Sequence, residues 1–291
     1  METALVLCRF THFAAAMALF GAAAFIGALA PPALALALAP DMRRLAAAAI
    51  PLAAISAFLW LALEAASMAD AWSGALDPAT LGSVLTDTQF GRVWQGRLVV
   101  AFALVVALAL RKQGPSPFLV AASGLLLASL GLVGHAAMQT GALGALHRAN
   151  HALHLLATAA WLGGLPVFAL CLRAYADPAR RAEAVVAMRR FSFWGQFAVA
   201  LVVLTGIVNV ALTSGFGALA PTTPYRALLT AKLSLVAAMV TIALFNRHVL
   251  APRLKPGEAA LRALMRTSVA ELVLGAAVVG LVSLFGLLNP V

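Results

Sequence analysis

The chain has 291 residues, of which 63% are hydrophobic and only 10% charged, with a mean hydropathy of +0.98 and a formal net charge of +10. A soluble globular domain carries about 25% charged residues, so this composition excludes that class. The apolar stretches are long enough to cross a bilayer as helices, and a helix satisfies its own backbone hydrogen bonds in lipid. We therefore predict an all-α, polytopic helical membrane protein.

Eight transmembrane spans are predicted in chain order, separated by proline, glycine and charged residues. The first apolar run contains Arg9 and His12 and lacks a basic leader, so we predict a retained helix and not a signal peptide. Residues 1–291 are expected to form a single transmembrane domain. The predicted spans are 4–29, 44–69, 93–110, 116–137, 149–172, 190–213, 225–246 and 266–288.

Lysine and arginine are divided unequally between the two sides of these spans, with 14 of the 20 on one side. Positive residues concentrate on the cytoplasmic side of membrane proteins, so this side is predicted to be cytoplasmic and both termini periplasmic. Because the basic residues lie in short groups between the spans, the pI of 11.2 does not indicate a nucleic-acid partner. Cys8 and Cys171 fall at opposite ends of their spans, so no disulfide is expected between them.

The histidines gather at the outer ends of the predicted spans. His12 lies in the outer third of the first span, His135 ends the fourth, and His151 and His154 begin the fifth. His147 precedes His151 by four residues and shares its helical stripe. Five of the six histidines are thus predicted on one side of the membrane. Ionisable groups within a span indicate function because they are costly in hydrocarbon.

Thioether and carboxylate groups are predicted at the same depth. Glu64 and Met68 follow Trp60 at intervals of four residues, and Met138 follows His135 by three. Imidazole with thioether suits copper, especially Cu(I), better than magnesium or calcium. The predicted copper ligands are His12, His135, His154, His151, Met138, Met68 and Glu64.

Several of the residues at this depth have structural alternatives, and for His12 and His154 the alternative is a structural hydrogen bond. His147 is expected to be a solvated loop residue whose ring reaches the headgroups. Met68 and Met138 can instead fill gaps in a core. Glu64 is also expected to form an ion pair with a basic residue at its depth, either Arg9 or Arg97.

One acidic residue is predicted inside the last span, away from the histidines. Glu271 lies about one turn inside that span, where Arg266 or Lys255 is expected to pair with it. No metal site is predicted on this side, because the histidine and methionines there stand among arginines, which repel cations.

Three functions fit these residues. The first is a copper permease or copper-binding membrane protein that is not an enzyme, and the lack of a nucleotide-binding motif predicts that no nucleotide drives it. The second is a b-type cytochrome whose histidines hold haem iron, although histidines on one face alone do not carry electrons across the membrane. The third is a non-transporting copper holder or assembly factor.

Several segments resemble motifs of the CopD copper-resistance and copper-import family, in the family's order. "TDTQFGRVWQGRL" (86–98) is similar to the family's threonine–phenylalanine–glycine–tryptophan–arginine signature. The further similar segments are "RFTHFAAAMALFGAAAF" (9–25), "GHAAM" (134–138), "HALHLLATAAWLGGL" (151–165), "RFS" (190–192), "LTGIVN" (204–209) and "YRALLTAKLSL" (225–235).

The resemblance implies an eight-helix protein of the bacterial inner membrane that handles copper from the periplasmic side, often with a small periplasmic copper carrier. Many relatives carry an acidic residue where this chain has His151, which changes the implied ligand set. The residues that the resemblance implicates are His12, His135, His154, Trp161, Arg97, Tyr225 and Lys232.

Overall fold

The computed structural model describes residues 1–110, 116–215, 223–254 and 259–288, and all regular secondary structure in these ranges is helical. The α-helices are α1 (Glu2–Ala28), α2 (Pro32–Met68), α3 (Pro78–Asp87), α4 (Gln89–Ala109), α5 (Pro117–Ala128), α6 (Gly141–Leu162), α7 (Leu165–Ala176), α8 (Arg181–Thr213), α9 (Pro224–Phe245) and α10 (Ala259–Phe285).

The described part of the chain contains seven helical stretches long and apolar enough to cross a membrane, with Pro117–Leu132 as a shorter apolar one. Each of the eight predicted spans corresponds to one of these stretches. The prediction of a polytopic helical membrane protein is therefore confirmed. The predicted fifth span consists of α6 and α7, which meet at the glycine pair Gly163–Gly164.

Helix α2 is longer than its predicted span. It begins at Pro32 and continues through Pro40 and Pro51 for 37 residues. Proline is favoured in a first helical turn, which explains the start at Pro32. The added turns carry Leu34 and Leu38, both almost fully buried in the core, so packing outweighs the cost of the interior prolines.

The loop between α2 and α4 contains the short helix α3, which was not predicted. Its N-cap is Asp77, whose carboxylate accepts hydrogen bonds from the Thr80 backbone nitrogen at 2.9 Å and the Thr80 hydroxyl at 2.5 Å. These bonds hold the pKa of Asp77 below its ordinary value, because they favour the charged form. Asp77 with Pro78 is thus a local helix-start signal.

Helix α1 lies at the centre of the bundle and contacts α2, α5, α6, α7 and α10. Helix α1 approaches the end of α6 so closely that a side-chain carbon added at Gly21 would overlap the backbone of Gly163. Small residues permit such close approach between membrane helices. Helix α8, by contrast, exposes Phe193, Trp194 and Phe197, which suit contact with lipid.

Candidate metal centre

The segment that carries His135 is set up by the early end of α5. Helix α5 stops at Ala128, and two 3₁₀ turns follow at Ser129–Leu132 and Gly134–Ala137. The guanidinium of Arg97, on α4, donates to the Leu126 carbonyl and the Ser129 hydroxyl, each at 2.5 Å. A cation at a helix C-terminus satisfies carbonyl groups that have no partner within the helix. Arg97 therefore stabilises the point at which the predicted fourth span ceases to be α-helical.

His135 lies in the second 3₁₀ turn, between the start of α9 and the end of α10. Its Nε2 is 3.2 Å from the Leu288 carbonyl oxygen, and its ring lies 6.0 Å from that of Tyr225. A carbonyl oxygen only accepts hydrogen bonds, so Nε2 carries the proton and Nδ1 keeps its lone pair. Burial lowers the pKa of His135, the hydrogen bond to Leu288 opposes this shift, and nearby Arg9 adds to it.

His154 projects from α6 toward α8. Its Nδ1 lies 2.9 Å from the hydroxyl oxygen of Thr205, and that hydroxyl donates its own proton to the Leu201 carbonyl at 2.5 Å. The Thr205 oxygen therefore accepts from Nδ1–H of His154. The Val202 carbonyl is a further hydrogen-bond acceptor for this imidazole, and with the proton on Nδ1 the lone pair of His154 lies on Nε2.

His147, on the first part of α6, has the same kind of support. Its Nδ1 is 2.6 Å from Oε1 of Gln139, while Nε2 of Gln139 donates to the Leu212 carbonyl at 2.6 Å. The second bond fixes the orientation of the amide, so Nδ1 of His147 is the donor and its Nε2 is free. His147 is also only 1% exposed, so its prediction as a solvated loop residue is wrong. The stripe shared with His151 and His154 was the sequence signal for its inward position.

His151 adopts the opposite tautomer. Asn150 donates to Oδ1 of Asn209 at 2.9 Å, which turns the Asn209 amide nitrogen toward Nδ1 of His151 at 3.3 Å. His151 thus accepts at Nδ1 and carries its proton on Nε2. Its ring stacks on that of His154, with centroids 6.3 Å apart. We refer to His135, His147, His151 and His154 as the histidine cluster.

A lysine accompanies the histidine cluster. Lys232, on α9, lies within electrostatic range of His151 and His154, and its ammonium is 5.9 Å from the centre of the Phe285 ring. The ion pairs in the described ranges do not include Lys232. A protonated Lys232 would repel a cation held by either ring.

His12 lies apart from this cluster, in the core formed by α1, α2 and α4. It is fully buried; Nδ1 is 3.0 Å from the Ser56 hydroxyl oxygen and 3.2 Å from the Ala53 carbonyl oxygen. Its Nε2 meets the guanidinium of Arg97. Both ring nitrogens of His12 therefore have protein partners in this conformation.

Glu64, Met68 and Met138 occupy more open positions. Glu64 accepts a hydrogen bond from the Trp60 indole at 3.0 Å and interacts electrostatically with Arg9. The predicted alternative, an ion pair between Glu64 and Arg97, is absent among the described residues, because the guanidinium of Arg97 is turned toward α5 and His12. Met68 is 62% exposed and Met138 is 55% exposed, so neither fills the core.

The structure brings together part of the predicted ligand set. His135, His151 and His154 lie in the histidine cluster, whereas His12, Glu64, Met68 and Met138 lie outside it. Within the described ranges, no three histidine, cysteine, aspartate or glutamate side chains are positioned together to hold a metal ion. In this conformation the nitrogen atoms of the histidine cluster do not yet surround a single point at which a metal ion could bind.

Comparison with known proteins decides the family. The sequence profile described as "Copper resistance protein D-like, N-terminal domain" matches residues 1–145, and the profile "Copper resistance protein D" matches residues 185–285. Inner membrane protein YebZ of Escherichia coli (strain K12) is 37% identical over 290 residues, covering 98% of each chain. The chain belongs to the copper resistance protein D family. It is a multi-pass protein of the inner membrane.

Two further relatives of this family member carry copper in their names. Copper resistance protein D of Pseudomonas syringae pv. tomato is 33% identical over 246 residues, which is 79% of this chain and 77% of the relative. Copper transport protein CutJ of Bacillus subtilis (strain 168) is 32% identical over 170 residues, which is 54% of this chain and 31% of the relative. No solved structure matches the chain significantly.

Proposed function

We propose that the protein binds copper as Cu(I) at the periplasmic face and moves it toward the cytoplasm, with the histidine cluster as the binding site. The observation that carries this proposal is the hydrogen bonding of His135, His147 and His154, which leaves one nitrogen lone pair free on each ring. Histidines that bind metals typically donate their other N–H group to an oxygen acceptor in this way. The names of two relatives support copper as the cargo.

The remaining predicted nitrogen ligands would need a rearrangement before they bind copper. His151 would have to move its proton from Nε2, which requires a new partner for Asn209. His12 would have to release Arg97. We therefore propose His135, His147 and His154 as the first ligands, with His151 and His12 joining after such a change.

The exposed methionines suit the arrival of copper. Met68 and Met138 present thioether sulfur, a soft donor that favours Cu(I). We propose that they receive the ion from a small periplasmic copper carrier and that Glu64 offsets the charge of Arg9 along this route.

A competition titration with a Cu(I) chelator under reducing conditions tests copper binding. The native protein is expected to bind Cu(I) and to keep it against an equal concentration of Zn(II). His135→Ala and His154→Ala should each weaken affinity by at least about tenfold, while His248→Ala, whose side chain is exposed, should not. Native affinity in both cluster variants would contradict the proposal, and a Soret band in the purified protein would indicate haem instead.

A copper holder that does not transport the ion is the second candidate. The observation that favours it is the position of Lys232, whose positive charge beside His151 and His154 opposes inward movement of a cation. Binding alone does not separate the two functions, whereas uptake into vesicles does.

A further inference from the structure

A second buried polar cluster lies at the other end of α9 and α10. The side-chain amide of Asn246 donates to Oε2 of Glu271 at 3.0 Å, and the Thr267 hydroxyl donates to Oδ1 of Asn246 at 2.6 Å. Asn246 also begins a π-helical turn, Asn246–Leu250. It lies about 20 Å along α9 from Lys232. This cluster is therefore separate from the histidine cluster.

Glu271 is 3% exposed, and its Oε1 is buried with no hydrogen-bond partner. The ion pair expected with Arg266 is not formed. The two residues are five apart on α10, which directs them about 140° apart around the helix. The alternative partner, Lys255, lies outside the described residues.

The charged and titratable groups on the neighbouring elements are turned elsewhere. Arg247 donates to the carbonyl and hydroxyl oxygens of Ser192, and the Tyr175 hydroxyl of α7 donates to the Leu254 carbonyl. His248, in the π turn, is exposed. On α1, Arg9 lies beside Gly286, at the opposite end of α10.

The contact of α6 with this part of α10 is apolar, because Leu162 packs against Gly275. No charged group of the described residues therefore compensates a carboxylate at Glu271.

An ionised carboxylate that is buried with a single hydrogen bond and no cation is strongly disfavoured. It becomes tolerable if it is neutralised by a proton or by a bound cation. The surrounding groups are amide and hydroxyl oxygens, which are hard donors and do not suit Cu(I). The Asn246 amide presents its nitrogen to the carboxyl group and its oxygen to Thr267, so the amide oxygen is turned away from Glu271. A proton is the ligand that fits.

We propose that Glu271 is an exchangeable proton-binding site, with Asn246 as the group that contacts its carboxyl. The proton resides on Oε1, while Oε2 accepts from Asn246 in both protonation states. Through Asn246, protonation of Glu271 is coupled to the π turn that begins at this residue. Such π turns often mark functional positions in helices. This inference stands without copper, so its test is independent of the proposed copper transport.

Infrared spectroscopy of the full chain in lipid nanodiscs, without copper, tests this site. A carbonyl stretch of a protonated carboxyl is expected at neutral pH; it should shift in D₂O and disappear in Glu271→Gln. The matched control is Glu64→Gln, which alters the intramembrane carboxyl bonded to Trp60 and should retain the band. Absence of the band in the native protein, or its persistence in Glu271→Gln, would overturn the proposal.

A second variant keeps the test decisive if Glu271→Gln fails to fold. Asn246→Leu removes the hydrogen bond to Oε2 and leaves the carboxyl in place, so the band should move to higher frequency and not vanish. A titration of the native protein to high pH should convert the same band into carboxylate bands. An unmoved band in Asn246→Leu would show that it belongs to another group and would also overturn the assignment.

Discussion

At the scale of single residues, the neutral partners of the histidines determine which nitrogen can bind a metal. Leu288, Gln139 and Thr205 each place an oxygen against one ring nitrogen of His135, His147 and His154, respectively. None of these partners is charged, so they orient the rings without adding an opposing charge. Lys232 is the lysine that interacts electrostatically with His151 and His154.

The Thr205 hydroxyl provides a direct test of this orientation. Thr205→Val removes the side-chain acceptor for Nδ1–H of His154 but preserves side-chain shape, so the ring should be held less firmly in this tautomer. We expect Cu(I) affinity to fall by about 10–100-fold, the usual effect of losing an oxygen partner of a ligating histidine. The control is Thr241→Val, whose hydroxyl bonds only the Ala237 carbonyl of its own helix. Equal affinities in the two variants would refute the role of Thr205.

The sequence indicates the stripe of histidines but not which nitrogen of each ring carries the proton. The spacing of His147, His151 and His154 indicates a shared face, which the structure has. The partners Gln139 and Leu288 come from distant segments or irregular turns, and no local pattern identifies them. His12 shows the same limit, because its contact with Arg97 joins residues 85 positions apart.

At the scale of elements, the largest departures from prediction occur where tertiary contacts override local signals. Pro40 indicates a helix break before the predicted second span, yet α2 continues through it because the extra turns are buried. Helix α5 contains no proline near its end, yet it stops at Ala128, where Arg97 provides the partners for its final turn. Local sequence patterns predict the length of an apolar helix well. A helix cap that comes from another helix cannot be predicted from them, because it depends on the tertiary structure.

The Arg97 cap can be tested by stability. Arg97→Met removes the donors to the Leu126 carbonyl, the Ser129 hydroxyl and His12, and a buried unsatisfied group costs about 1–3 kcal/mol. We expect a loss of about 3 kcal/mol or more in the free energy of unfolding, measured by chemical denaturation in mixed micelles. Arg92→Met, an exposed position on the same helix, is the matched control. Comparable stability in the two variants would contradict the cap.

At the scale of the whole molecule, the described residues form an α-helical bundle in which the histidine cluster and the Glu271 cluster are separate. The histidine cluster lies on α6 and the turn after α5 and bonds to α8 and to Leu288 beyond α10, whereas the Glu271 cluster joins α10 to the π turn that follows α9. Lys232 of α9 accompanies the histidine cluster, and Asn246, which directly follows α9, belongs to the Glu271 cluster. The proposed direction of copper movement depends on which of these clusters faces the periplasm.

The orientation is open to direct labelling. The excess of lysine and arginine predicts that Leu76 faces the periplasm and Ala182 the cytoplasm. Leu76→Cys should react with a membrane-impermeant thiol reagent in intact spheroplasts, and Ala182→Cys should react only after lysis. The native thiols, Cys8 and Cys171, are buried and provide the background. The reverse labelling pattern would place the histidine cluster at the cytoplasmic end.

Copper uptake into reconstituted vesicles that contain a Cu(I) indicator tests the central claim most directly. With Cu(I) added from the side of the histidine cluster, the native protein should produce an indicator signal. His135→Ala and His154→Ala should abolish this signal, and His248→Ala should retain it. Cu(I) binding by the native protein without any uptake would contradict transport and leave a copper holder at this face of the membrane.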